Sequence, residues 1–199
     1  MLRKNGSQTG DKPLAQQQAD AVVVGGGLAG IVTTLDLLRA GRSVTLIDRD
    51  TPERFGGLAL WAFGGMALVG TPLQARMKIP DTPERALADW LRFAENDAWP
   101  LAWARHYVEH SRAQVHDWLL SHGLKFMPAV NWVERGMQGD GNSLPRYHIL
   151  WGTSRHMTRT LIAALREAGQ GRLTVLHRHR ATALDRAGGR LAGVLALDE

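Results

Sequence analysis

The chain has 199 residues, about one to one and a half ordinary domains, and its 44% hydrophobic and 22% charged content excludes a disordered, collagenous or fibrous polypeptide. Cysteine is absent, which removes disulfides, thiol nucleophiles and thiolate metal sites and fits a reducing, cytoplasmic address. The net charge of +5, from 24 Lys and Arg against 19 Asp and Glu, is spread along the chain without a basic block, so it describes a solvated surface and no nucleic-acid partner is expected.

Residues 1–19 read as a flexible leader. Met1-Leu2-Arg3-Lys4 runs into a polar, Gln-rich stretch through Gln18, which is not the order of a secretory signal. The apolar run from Ala21 to Leu38 is interrupted by four glycines and Asp36, so it is not a membrane span. It divides instead into a strand, Ala21-Val22-Val23-Val24, expected to be buried on both faces, and a helix from Leu28 to Arg39 stopped at Gly41. Val44-Thr45-Leu46-Ile47 is a second buried strand, completing a right-handed βαβ unit in a parallel sheet.

Beyond Thr51-Pro52 the chain enters a glycine-rich loop from Gly56 to Gly70. Thr82-Pro83-Glu84 starts a helix whose apolar stripe is Ala86, Leu87, Trp90, Leu91 and Ala94. A further single helix is expected from Leu101 to His122, stopped by Gly123, then an irregular stretch from Asn131 to Gly152. Ser154 caps an amphipathic helix carrying Met157, Leu161, Ile162 and Leu165 and ending at Gly169. Two alternating runs close the chain as a hairpin that turns at Ala187-Gly188-Gly189-Arg190. Helical spacing places Trp90, Trp99, Trp103 and Trp118 in the core or a cap interface.

Gly25-Gly26-Gly27-Leu28-Ala29-Gly30 carries the chemistry. It follows a strand and opens a helix, the setting in which G-x-G-x-x-G acquires meaning. Gly25 permits the turn, Gly27 admits a pyrophosphate to the backbone, and Gly30 lets helix and strand close on each other, while the first-turn N–H groups of Leu28, Ala29 and Gly30 face the anion. Asp48 ends the second strand 18 residues after Gly30, near the ~20 expected of an acid that grips a ribose. Arg49, beside it, could meet a 2′-phosphate, which leaves an NADP-binding reductase as an alternative.

The segment Val22 to Gly30, then Asp48, then Arg54-Phe55-Gly56-Gly57, resembles the FAD fingerprint of the large two-dinucleotide-domain flavoproteins. With Gly64-Gly65-Met66, Arg146-Tyr147-His148 and Gly152-Thr153 in that order, the stretch from Asp20 to Leu197 is similar to the fumarate reductase/succinate dehydrogenase flavoprotein and 3-ketosteroid dehydrogenase superfamily, in particular its "FAD-binding dehydrogenase" branch. The resemblance implies an α/β, Rossmann-like FAD-binding domain over residues 20–199, with a helical excursion at about 80–150 and a C-terminal β-hairpin. It further implies non-covalent FAD, since Leu58 stands where covalently flavinylated members carry histidine. Cofactor contacts are implied for Gly25, Gly27, Leu28, Ala29, Gly30, Asp48, Arg49, Arg54, Gly56, Gly57, Gly64 and Gly65, and an adenine contact for Ala181.

Family members are considerably longer, so the resemblance implies an N-terminal portion with an incomplete sheet, which needs further polypeptide or a partner to close it. The expected reaction is hydride transfer at a carbon–carbon bond of an unidentified small molecule. Tyr147, Arg146 and His148 are the weak catalytic candidates; for each, a hydrogen-bonded structural role is the plainer expectation. A catalytically silent fragment or a partner-requiring binding module is the remaining alternative. His106 and His110 are spaced to share a metal but have no third ligand, so none is expected.

Overall fold

Three short strands pair in parallel in a computed structural model that describes residues 17–92, 98–130, 132–134 and 141–199. The expected leader lies outside the described residues as far as residue 16. In chain order the elements are β1 (Ala21–Val24), α1 (Leu28–Arg39), β2 (Val44–Ile47), β3 (Gly65–Ala67), α2 (Pro72–Arg76), α3 (Pro83–Leu91), α4 (Ala98–His110), α5 (Trp118–Ser121), β4 (Tyr147–Ile149), α6 (Thr153–Ala168), β5 (Leu173–Leu176), β6 (His179–Ala187) and β7 (Arg190–Asp198). They divide into two units, one of residues 1–57 and 162–199, the other of residues 58–161, with α6 passing from the second into the first.

The first unit holds the parallel sheet in the order β1-β2-β5, Val22 opposite Thr45 and Thr45 opposite Thr174. β2, with a neighbour on each side, is buried along its whole length. β1 corrects the expectation of a strand buried on both faces: among the described residues it lies at the sheet edge with β2 as its one neighbour, and Val22 and Val24 are exposed. A β-branched run of four residues reads the same at an edge as in the middle of a sheet. α1 buries Ile31, Thr34, Leu35 and Leu38, and its chain leaves through Gly41 at φ +81, the left-handed residue that ends a helix. The β6–β7 hairpin turns where expected, with Gly188 and Gly189 at φ +58 and +78, the signs a type I′ turn demands at both central positions.

The second unit differs more from its sequence reading. The single helix expected over residues 101–122 is interrupted: α4 gives way to a π-helical stretch, Ser111–Asp117, before α5. Ala104, Val108 and Ser111 form the buried side of this run. Trp99 and Trp103 lie on its opposite side and are exposed, as is Trp90 on α3, so of the two placements expected for these tryptophans the core one does not hold. The stretch expected to be irregular over residues 131–152 contains β4, which pairs antiparallel with β3.

Leu46→Ala, at the buried centre of β2, should cost about 2–5 kcal/mol in urea unfolding, whereas Val22→Ala on the open edge should stay within about 1 kcal/mol. Equal losses at the two positions would contradict the edge assignment of β1.

Candidate functional site

At the end of β1 the chain turns through Gly25, at φ +97, and enters α1 with Gly27 as N-cap. Gly27 has no side chain to cap the helix, and its first turn carries no acid, so the N–H groups of Leu28, Ala29 and Gly30 have no partner within the helix. A Cβ at Gly30 would stand 1.8 Å from the Gly25 carbonyl oxygen, so only glycine lets α1 close on the strand end. A Cβ at Gly27 would meet nothing within 4 Å, which makes the space in front of these amides open. A Cβ at Gly26 would strike Phe55 and the Asp48 carboxylate.

Asp48 holds this turn together. Its Oδ2 accepts a short hydrogen bond from Gly26 N–H and its Oδ1 accepts one from Asp50 N–H at 2.7 Å. Each carboxylate oxygen keeps a further lone pair. The second glycine doublet lies beside the first: Gly56 N–H donates to Gly26 C=O at 2.9 Å, Gly56 bridges Gly27, and Gly57 approaches the Gly27 Cα. Phe55 is buried and meets the His177 ring edge-on, with centroids 5.1 Å apart. Burial pushes the His177 pKa down against the opposing pull of Asp48. Arg49 is exposed, and Arg54 pairs with Asp50 at 3.6 Å in a solvated contact. Ala181 is half-buried in β6, opposite Ala196 and next to a bulge. The first unit thus gathers Gly25 to Gly30, Asp48, Gly56 and Gly57, and leaves Arg49 and Arg54 at the surface.

In the second unit, Gly64 and Gly65 lead into the β3–β4 ribbon, with Gly65 opposite Ile149, Met66 opposite His148 and Ala67 opposite Tyr147. Leu150 N–H donates to Gly64 C=O at 3.0 Å, and a Cβ at Gly64 would press on the backbone at the start of α6. Strand alternation separates the three candidate catalytic residues. Tyr147 points to the open face, where its phenol takes the place a Cβ of Gly65 would occupy, 1.9 Å away, and its ring contacts Trp132 with centroids 6.0 Å apart. Exposed Trp151, exposed Leu58 and exposed Phe63 belong to the same unit.

Arg146 and His148 are buried, 3% and 0% exposed. The Arg146 guanidinium takes both oxygens of Asp81, at 2.8 and 2.7 Å, and Asp89 Oδ2 at 2.6 Å. Burial alone would raise the Asp89 pKa; hydrogen bonds from Ser143 and Arg146 outweigh it and hold the carboxyl below its ordinary value. His148 Nδ1–H donates to the Arg146 carbonyl at 2.7 Å, so in the neutral ring Nε2 accepts from the Thr71 hydroxyl, also at 2.7 Å. Thr71 and Gln74 form a capping box on α2, and Gln74 Nε2 donates to Asp81 at 3.0 Å. Arg146, His148, Thr71, Gln74 and Asp81 therefore close a ring of buried polar contacts. Its acids and its α2 members went unread in the sequence, although Thr71-Pro72-Leu73-Gln74 carries the capping-box spacing.

His106 and His110 stack on each other at 4.2 Å, and among the described residues no group of three ligand-type side chains could hold a metal. No helix among them is long and apolar enough to cross a membrane.

The model of the family described as "FAD binding domain" matches residues 20–199. The chain belongs to that family. A KsdD-like steroid dehydrogenase of Mycolicibacterium smegmatis is 40% identical over 183 residues, 88% of this chain and 33% of the relative. A fumarate reductase (cytochrome) of Shewanella frigidimarina is 33% identical over 129 residues, 65% of this chain and 21% of the relative. Among solved structures, 3-ketosteroid-delta4-(5alpha)-dehydrogenase from Rhodococcus jostii superposes with a TM-score of 0.77 at 22% identity, covering 98% of this chain and 44% of that one, a likeness of fold. The chain spans about a third of the length of the steroid dehydrogenase it matches. FAD is the cofactor of this FAD-binding domain family, and the open, glycine-lined space in front of the α1 amides fits its diphosphate.

Two outcomes follow for the buried ring. Arg146→Ala leaves buried Asp81 without its cation and Asp89 with only the half-exposed Arg92, and should cost about 3–5 kcal/mol in denaturant unfolding. Burial lowers the His148 pKa from its unfolded value of 6.5, so the unfolded chain binds the extra proton first. Stability should be full above pH 6.5 and decline as the pH falls through the depressed folded pKa; thermal melts across that range check the sign, and His148→Asn should flatten the decline.

Proposed function

We propose that this chain is the cofactor-binding portion of a flavin-dependent oxidoreductase that transfers hydride at a carbon–carbon bond of an apolar, steroid-like ketone. The observation that carries the reading is the Gly25–Gly30 turn: first-turn amides with no acceptor inside the helix, open space at Gly27 and forced contact at Gly30, in a chain 40% identical to a KsdD-like steroid dehydrogenase.

On this reading the N–H groups of Leu28, Ala29 and Gly30 hold the diphosphate against the positive end of α1. Asp48, already fixed by Gly26 and Asp50, offers its remaining lone pairs to the adenosine ribose. Gly56 and Gly57, lying against Gly26 and Gly27, bring bare backbone to the same phosphates, with Arg54 and Arg49 adding positive field from the surface. Ala181 supplies a backbone contact to adenine, while in the second unit Gly64 makes room for the start of α6 and Gly65 for the Tyr147 phenol. Bound FAD supplies the hydride acceptor or donor. Tyr147 is the one catalytic candidate of the three on the open face, with its phenol placed over Gly65 to hold or pass a proton. Arg146 and His148 serve beneath it, through the buried ring.

Gly27→Ala tests the reading cleanly. Its Cβ enters open space at an ordinary φ of −74, so the variant should unfold within about 1 kcal/mol of the parent. It should nevertheless bind FAD at least about tenfold more weakly, a loss near 1.4 kcal/mol, in a flavin fluorescence titration. Unchanged FAD affinity in a folded Gly27→Ala chain would refute the phosphate cradle.

A further inference from the structure

Tyr147 and His148 are neighbours on β4 that point to opposite faces, so whatever fixes His148 also fixes the backbone from which Tyr147 projects. The Arg146 carbonyl is the shared anchor. It accepts Leu68 N–H from the β3 side at 3.0 Å and His148 Nδ1–H at 2.7 Å. On its other edge the His148 ring is held by Thr71, the N-cap of α2, whose hydroxyl hydrogen points into Nε2. Tyr107 adds a third tie, its hydroxyl donating to Ala67 C=O opposite Tyr147 at 2.8 Å.

We propose that His148 is a positioning residue for Tyr147, and that it keeps the phenol over Gly65 only while its imidazole is neutral. A second proton converts Nε2 from acceptor to donor. Thr71 must then turn its hydroxyl hydrogen toward Gln74 Oε1, 3.4 Å away and already accepting Thr71 N–H. Among the described residues the new charge finds no uncommitted counterion on the elements around it, although Asp81 pulls in its favour. The turn before α3 gives Asp81, bound by Arg146 and Gln74. From α3 comes Asp89, bound by Arg146, Arg92 and Ser143. The π-helical stretch gives His116, its ring 6.2 Å from His148, and Asp117, engaged with His116 and Arg112. Phe126 closes the site with its ring edge-on at 5.9 Å, β3 contributes Met66, and α2 contributes only the uncharged Thr71 and Gln74. An imidazolium in this place strains the ring of contacts that sets β4 against β3, and Gly65 leaves Tyr147 no side chain to stop against. Proton uptake beneath the ribbon thus displaces the phenol above it.

The consequence for turnover rests on the proposed oxidoreductase role of Tyr147, but the displacement does not, and it can be read without flavin. The chain has two tyrosines, so ring-13C-labelled tyrosine gives two sets of NMR signals, and Tyr107→Phe assigns those of Tyr147. With 15N-labelled histidine in the same full-length sample, His148 is followed from about pH 8 to about pH 5, across the range in which histidine changes charge. The Tyr147 signal should shift with the His148 midpoint. In His148→Asn, whose side-chain amide can still donate to the Arg146 carbonyl but takes no proton, the Tyr147 signal should keep its high-pH position throughout. A Tyr147 signal that stays still while His148 titrates, one that shifts equally in His148→Asn, or a His148 that remains neutral until the chain unfolds, would each overturn the proposal. If His148→Asn does not fold, co-titration of the two residues in the parent chain decides it alone. Loss of FAD binding in Gly27→Ala bears on the cofactor cradle and leaves this result unaffected.

Discussion

A helix can present its first amides over the end of a strand only if the backbone atoms between them come within contact distance. In the first unit that constraint falls on one pair, the Cα of Gly30 against the carbonyl of Gly25. Any side chain at Gly30 would force α1 away and turn its free N–H groups off the space beyond the strand. The remaining features of the turn follow from this approach: Gly25 at positive φ, Gly26 pressed beneath Phe55, and Asp48 reaching back to the Gly26 amide. Helix amides free to meet an anion are thus a by-product of close packing, with no cationic side chain needed beside them.

The second unit is organised by a different device. Burying Arg146 with two carboxylates is costly unless every donor and acceptor is matched, and Gln74, Asn142 and Ser143 supply matches, with Thr71 fixing Gln74 through the capping box. The result joins the α2 cap, the turn before α3 and β4 into one set of contacts. Its upper surface, the open face of the β3–β4 ribbon, carries Tyr147. A polar interior rather than an oily one places this phenol, which makes its position sensitive to protonation in a way that a leucine-packed ribbon would not be.

Much of the first unit was legible in the sequence because local chemistry decides it. The glycine spacing, the β-branched runs and the Gly188-Gly189 turn each require a particular backbone, and α1 spans the residues the pattern predicts. Whether β1 lies inside a sheet or at its edge is set by which strands pair with it, and no residue of Ala21–Val24 records that. In the second unit the decisive partners are far apart in the chain: Arg146 meets Asp81 and Asp89 across 65 and 57 residues. Arg146 and His148 were visible as a motif but not as buried groups, and a three-residue strand such as β4 has too few side chains to show alternation. Trp99 and Trp103 allowed either a core or a cap-interface place, since a helical stripe looks alike whether it faces the core or water.

Asp48 illustrates what such economy costs a lineage. The carboxylate proposed to grip the ribose also fastens Gly26 and Asp50. On that proposal, exchanging it to favour a different nucleotide would also loosen the bend, so ligand preference and architecture are tied to one side chain. A change of ligand preference would disturb the turn less if made at residues around the acid than at the acid itself.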